Sequence, residues 1–154
     1  MKRTLRLGIT LGGGLALLVV AFAPASQALD RPGTIRITTR EVAHRVIDHG
    51  PRGRGPGDTE ISRSLLYNKG LTPRAIGHGE VVCTFTGRRS RVCNGTYFLP
   101  RGKIVVAGAL VFREFFEFAV LGGTGLYNNV QGSLTVTTTR PKPRRDILTF
   151  RLVL

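Results

Sequence analysis

The sequence predicts an all-β fold, an eight-stranded antiparallel up-and-down barrel. Two observations carry the expectation: runs in which apolar and β-branched residues alternate with polar ones at a period of two, and Gly, Pro and Asn punctuation between them. A third is that no run of helical periodicity competes with these strands. Successive strands joined by short turns close into a barrel because closure removes the unpaired edges of an open sheet. A two-sheet sandwich is the alternative.

Residues 1–28 stand outside that pattern. Lys2, Arg3 and Arg6 form a basic start, Leu7 to Ala23 carries no charge, and Ser26-Gln27-Ala28 is a small-x-small cleavage site, so the segment reads as a removed signal peptide cut after Ala28. An uncleaved anchor is the alternative, since Leu7 to Leu29 is a charge-free span that could just cross a bilayer. Residues 29–154 then form the barrel of an exported, extracellular protein.

The first strand is Thr34 to Thr39, extending toward Val46. His49 to Gly57 is four glycines, two prolines and two arginines in nine residues, a loop that is either disordered or a rim element. Asp58 to Tyr67 is the second strand, Asn68-Lys69-Gly70 a turn, and Leu71 to Gly79, with Pro73, Gly77 and Gly79, a loop or distorted edge. Strands three and four, Glu80 to Thr86 and Arg91 to Phe98, flank Gly87-Arg88-Arg89. If Thr86 opposes Ser90, counting inward pairs Phe85 with Arg91, Thr84 with Val92 and Cys83 with Cys93. Opposed cysteines on an antiparallel pair meet the Cβ separation that a disulfide needs, and export supplies the oxidising compartment.

Leu99-Pro100-Arg101-Gly102 turns the chain into the fifth strand, Lys103 to Phe112, and Phe115 to Leu121 is the sixth. Ala119 to Gly132 places a glycine-rich turn before the seventh, Gly132 to Thr139. No helix follows the glycines, so a phosphate-cradling loop lacks its context. Gly122, Gly123 and Gly125 instead allow positive φ or close backbone contact, with Tyr127 folding back as a plug. Pro141 to Arg145 is a stiff basic connection, and Asp146 to Leu154 the eighth strand.

Composition, 42% hydrophobic and 21% charged, is that of an ordinary globular domain. The net charge is +14; losing three of the 23 Lys and Arg with the signal leaves 20 against 9 acidic residues, about +11. Such a surface suits polyanionic envelope polymers or lipid headgroups. There is no zinc finger, recognition-helix pattern or aromatic-plus-basic platform, so no specific nucleic-acid partner is expected. His44, His49 and His78 sit at no metal-ligand spacing, no GxSxG elbow is present, and the cysteines are accounted for as a bridge. Neither a metal, a cofactor nor hydrolase chemistry is expected.

Cys93 to Ile104 (CNGTYFLPRGKI), Gly108 and Ala119 to Tyr127 (AVLGGTGLY), with Gly57-Asp58 and Leu66-Tyr67 upstream, resemble the core signature of the allene oxide cyclase and dirigent superfamily, in its secreted bacterial form. The resemblance covers residues 57–154. One departure is Val130-Gln131-Gly132, where many members read A-R-G after the tyrosine. The resemblance implies an eight-stranded barrel whose lumen holds a small molecule and steers cyclisation or coupling, an isomerase-type or dirigent-type activity. It also implies that Glu60, Ser62 and Ser64 line the pocket. Ser64 replaces the asparagine of the plant cyclases, which argues against their own reaction, and a cysteine at the place of Cys83 lies near substrate there without this partner. Characterised members form trimers, so a monomer or trimer is expected, with outward faces carrying Val92, Phe98 or Leu110 in contact.

Alternation places Val81, Cys83, Phe85, Arg91, Cys93, Gly95 and Tyr97 on one side, and Leu148, Phe150, Leu152 and Leu154 on another shared side. A lumen mixing Phe85, Tyr97 and Phe150 with Glu60 suits an apolar or phenolic ligand carrying one polar group. Glu60 and Tyr97 are the catalytic candidates, and Ser62, Ser64, Phe85 and Phe150 the ligand contacts. Each has a plainer reading: Glu60 paired with an arginine on the outer surface, Tyr97 as ordinary core, and Asp58 as a turn cap. A non-catalytic ligand-binding or envelope barrel is the alternative function.

Overall fold

Eight antiparallel strands close on themselves in sequence order, β1 pairing with β8. They are β1 Gly33–Ile47, β2 Thr59–Tyr67, β3 Gly77–Phe85, β4 Ser90–Leu99, β5 Gly102–Val111, β6 Phe115–Gly123, β7 Gln131–Thr138 and β8 Asp146–Val153. The computed structural model describes residues 33–68, 74–111, 115–139 and 145–153. The expected signal segment, the Asn68-Lys69-Gly70 turn beyond Asn68, most of the Pro141 to Arg145 connection, Phe112 and Leu154 lie outside the described residues.

Period-two alternation sends every second side chain into the lumen. Phe85, Phe150, Ile37, Leu66, Ile104 and Leu134 are among the fully buried side chains that fill it. The register Cys83↔Cys93, Thr84↔Val92, Phe85↔Arg91 is the one the sequence predicts, and Cys83 and Cys93 form a disulfide with Cα atoms 4.0 Å apart. Leu110 corrects an expectation. Its pairing with Arg91 turns it inward, where it is 4% exposed, so it lines the lumen and offers no outer contact.

Of the stretch Leu71 to Gly79, read as loop or distorted edge, Leu71 to Pro73 lie outside the described residues, and the loop reading is corrected for Gly77–Gly79, which begins β3. These glycines answer to neighbours across the sheet. A Cβ on Gly77 would collide with the Phe98 carbonyl, and one on Gly79 would come 2.8 Å from Tyr97 Cδ1.

One end of the barrel is closed by the glycine-rich turn. Gly125–Tyr127 makes a single 3-10 turn, Gly125 has φ 63°, and a Cβ on Gly123 would collide with the Lys103 carbonyl. That close approach folds Tyr127 into the core beside fully buried Val130, as the plug expected from sequence. At the other end, residues 48–58 form a rim held by two carboxylates. Asp48 accepts N–H bonds from Gly50 (3.2 Å) and Gly53 (3.1 Å), and Asp58 from His49 (3.0 Å) and Gly55 (2.7 Å). Asp58 is thus a turn cap, with its carboxyl held below the usual range by the His49 and Gly55 N–H groups.

Candidate functional site

The polar side chains of the lumen gather between the rim and the middle of the barrel, and a bulge in β1 helps to place them. Pairing with β2 runs regularly to Glu41↔Ser64 and resumes at Ala43↔Arg63, leaving Val42 as the extra residue. Before it the odd-numbered residues Ile37, Thr39 and Glu41 share the side of inward Leu66 and Ser64; after it the even-numbered His44 pairs with Ser62. A bulge re-aims side chains in this way. His44 Nε2 then lies 2.8 Å from Glu60 Oε1.

Glu60 Oε2 meets Arg91 as an ion pair, with both side chains only 16% exposed. Burial pulls the Arg91 guanidinium down from its ordinary value and the neighbouring Arg54 adds to this, without discharging a group that stays protonated in proteins. Arg54 and Arg91 also approach the Phe85 ring, at 5.1 and 5.8 Å from its centroid.

Below this pair lies a cavity of about 130 Å3. Its polar wall includes Thr39, Glu41, Glu60, Ser62, Ser64, Arg91, Tyr97 and Asp146, and its apolar wall Val81, Leu110, Phe116, Phe118, Val136 and Leu148. Tyr97 reaches it by lying against Gly79, and its ring packs edge-on against Phe150 at 5.3 Å. Burial pushes the Tyr97 phenol well up, and the Asp146 carboxylate pushes it further, so it remains a protonated donor. Asp146 itself accepts the Thr138 hydroxyl at 2.8 Å.

Of the residues predicted from sequence, Glu60, Ser62, Ser64 and Tyr97 meet on this cavity. Phe85 and Phe150 are fully buried but are not among its walls; they pack the lumen around it. Glu60 satisfies both of its readings in part, being paired with an arginine yet inside the barrel. Sequence reasoning missed His44, Glu41, Thr39 and Asp146. Glu41 and Thr39 could have been found by continuing the alternation of β1; His44 could not, because the bulge inverts it. Among the described residues no three His, Cys, Asp or Glu side chains form a metal site.

No family model and no curated protein matches the sequence. Solved structures do. A pyocyanin demethylase superposes with a TM-score of 0.69 at 25% identity, over 79% of this chain and 100% of that one. The Diels–Alderase AbmU from Streptomyces koyangensis gives 0.61 at 17% identity, over 80% of this chain and 70% of that one. A pterocarpan synthase dirigent protein gives 0.62 at 11%, over 79% and 83%. The chain shares the fold of these proteins, a closed eight-stranded antiparallel barrel of the kind the sequence resemblance implies. In this barrel the polar cavity lies in the lumen, the interior that an eight-stranded barrel can leave for one small ligand.

Proposed function

We propose that this dirigent-like barrel is exported, binds a small apolar or phenolic molecule in its lumen, and steers that molecule's cyclisation or coupling by confinement. The observation that carries the reading is the Tyr97 hydroxyl. It lies on the cavity wall of a residue only 5% exposed and has no hydrogen-bond partner among the described residues. Buried hydroxyls are normally partnered, so one aimed at a cavity marks where a ligand's polar atom would sit. The names of the structural neighbours, a demethylase, a Diels–Alderase and a dirigent protein, support a small-molecule reaction. The disulfide supports export.

In this reading Tyr97 donates to a ligand oxygen, Ser62 and Ser64 hold a second polar atom, and Glu60 accepts from a ligand donor while Arg91 and His44 fix its carboxylate. The apolar wall holds a flexible substrate in one reactive geometry, which can lower a barrier by several kcal/mol. The exposed Arg36, Arg40 and Arg45 support contact with anionic envelope polymers.

A second reading, a non-catalytic ligand carrier, is favoured by the cavity's size. About 130 Å3 is smaller than the several hundred Å3 of common small-molecule pockets. The test is to incubate the purified mature protein with a culture-supernatant extract and identify co-purified molecules by mass spectrometry. A retained small molecule that Tyr97→Phe releases supports the reading, and its chemical conversion on the protein separates enzyme from carrier. Recovery of bare protein under every condition would overturn both.

A further inference from the structure

The chain carries a net charge of +14, yet the wall of its cavity reverses that sign. Glu41, Glu60 and Asp146 line it together with one guanidinium, Arg91, which is engaged with Glu60. Glu41 takes part in no ion pair among the described residues, and Asp146 accepts only the Thr138 hydroxyl there. A separate observation points to a ligand in the same place. Tyr97 and Thr39, 5% and 3% exposed, set hydroxyls on this wall without a hydrogen-bond partner among the described residues.

We propose that the cavity selects a planar aromatic cation, such as an amidinium, a charged N-heteroaromatic ring or a protonated aryl amine, over its neutral and anionic isosteres. This rests on the reading of the lumen as a ligand site and names the polar group that ligand carries. Carboxylates only accept hydrogen bonds, so the ligand groups that satisfy Glu41 and Asp146 are donors, best of all charged ones. Asp146, half-buried, attracts such a charge more strongly than a carboxylate in bulk water does, and the exposed Glu41 adds a weaker, solvent-screened attraction. Arg54, beside Arg91, opposes this attraction at the rim, whereas exposed charges more than about 8 Å away are largely screened at physiological salt. Phe116 and Phe118, edge-on to each other at 6.1 Å, line the cavity and supply aromatic surface for a flat ring.

The test uses three probes of one shape: benzamidine, cationic at neutral pH, benzamide and benzoate. Each is titrated into the mature protein at physiological salt by calorimetry or NMR. The expected order is benzamidine about tenfold tighter than benzamide, a difference of about 1.4 kcal/mol, with benzoate weakest. Glu41→Gln, on an exposed residue, and Asp146→Asn, checked by circular dichroism, should each weaken benzamidine severalfold and leave benzamide within about twofold. Equal affinities, or benzoate tightest, would overturn the charge selection while leaving the lumen as a ligand site. Binding of none of the three would overturn the ligand-site reading along with it.

Discussion

Glu60 on β2 and Arg91 on β4 join across the strand between them, and they do so inside the barrel. Removing one partner leaves a poorly solvated charge, which costs more than the pair itself contributes. Arg91→Met is therefore expected to destabilise the protein by about 3 kcal/mol. The double variant Glu60→Gln, Arg91→Met should regain at least half of that. Urea denaturation of the wild type, the two single variants and the double variant checks the cycle, and additive losses would place the pair outside the low-dielectric lumen.

Tyr97 gives the barrel an alkaline limit. Its phenol is raised above the ordinary value of 10.0 by burial and by Asp146, so above that pH the unfolded chain releases a proton that the folded chain retains. Stability from this group is complete below pH 10 and falls as pH rises beyond it toward the folded value. Tyr97→Phe should flatten the fall. Melting temperature measured from pH 8 to 11 is the readout, and an unchanged slope would count against a buried phenol.

The Cys83–Cys93 bridge closes a loop with a sequence separation of 10. Replacing both cysteines with alanine should cost about 2 to 3 kcal/mol by the loop-entropy estimate. Strand content should survive in far-ultraviolet circular dichroism, because the ladders and apolar core do not depend on the bridge. Alkylation of the native protein without reduction should label no thiol; two labels would refute the bridge.

The outward face of β4 and β5 carries Val92, Val105 and Val111, 44%, 38% and 55% exposed, with Ala109 beside them. Phe98, half-buried, stacks on His78 at 4.3 Å and is less available. This apolar stretch, bounded at one end by Lys103 over the Phe98 ring, is suited to self-association, and the expected state is a trimer. Light scattering should give three times the monomer mass, and Ala109→Arg should lower it; a monomer mass at high concentration would rule the trimer out.

Much of this was readable because strand structure follows local rules. Three residues of turn after Thr86 set the Cys83↔Cys93 register, and alternation from it placed Phe85, Arg91 and Tyr97 on one shared face, which the closed barrel turns inward. What escaped depends on partners distant in sequence. Gly77 and Gly79 look like loop punctuation, and only the Phe98 carbonyl and the Tyr97 ring on the next strand show why a strand needs them. Val42 carries no mark of a bulge, so the inward turn of His44 was invisible. Leu110 was legible in principle, since counting back from the Leu99↔Gly102 pair puts it opposite Arg91. Which inward residues border empty space and which fill it, the difference between Tyr97 and Phe150, depends on packing from all eight strands at once.

Among the described residues, Tyr127 and Val130 pack the far end of the barrel, opposite the rim. A molecule held in the cavity would then pass the rim, by Glu60, Arg91 and the loop that Asp48 and Asp58 hold, both on entry and on exit. On the proposed ligand-binding reading, uptake and release would share one doorway: a resident molecule would block the next, and a loosened rim would hasten both steps together.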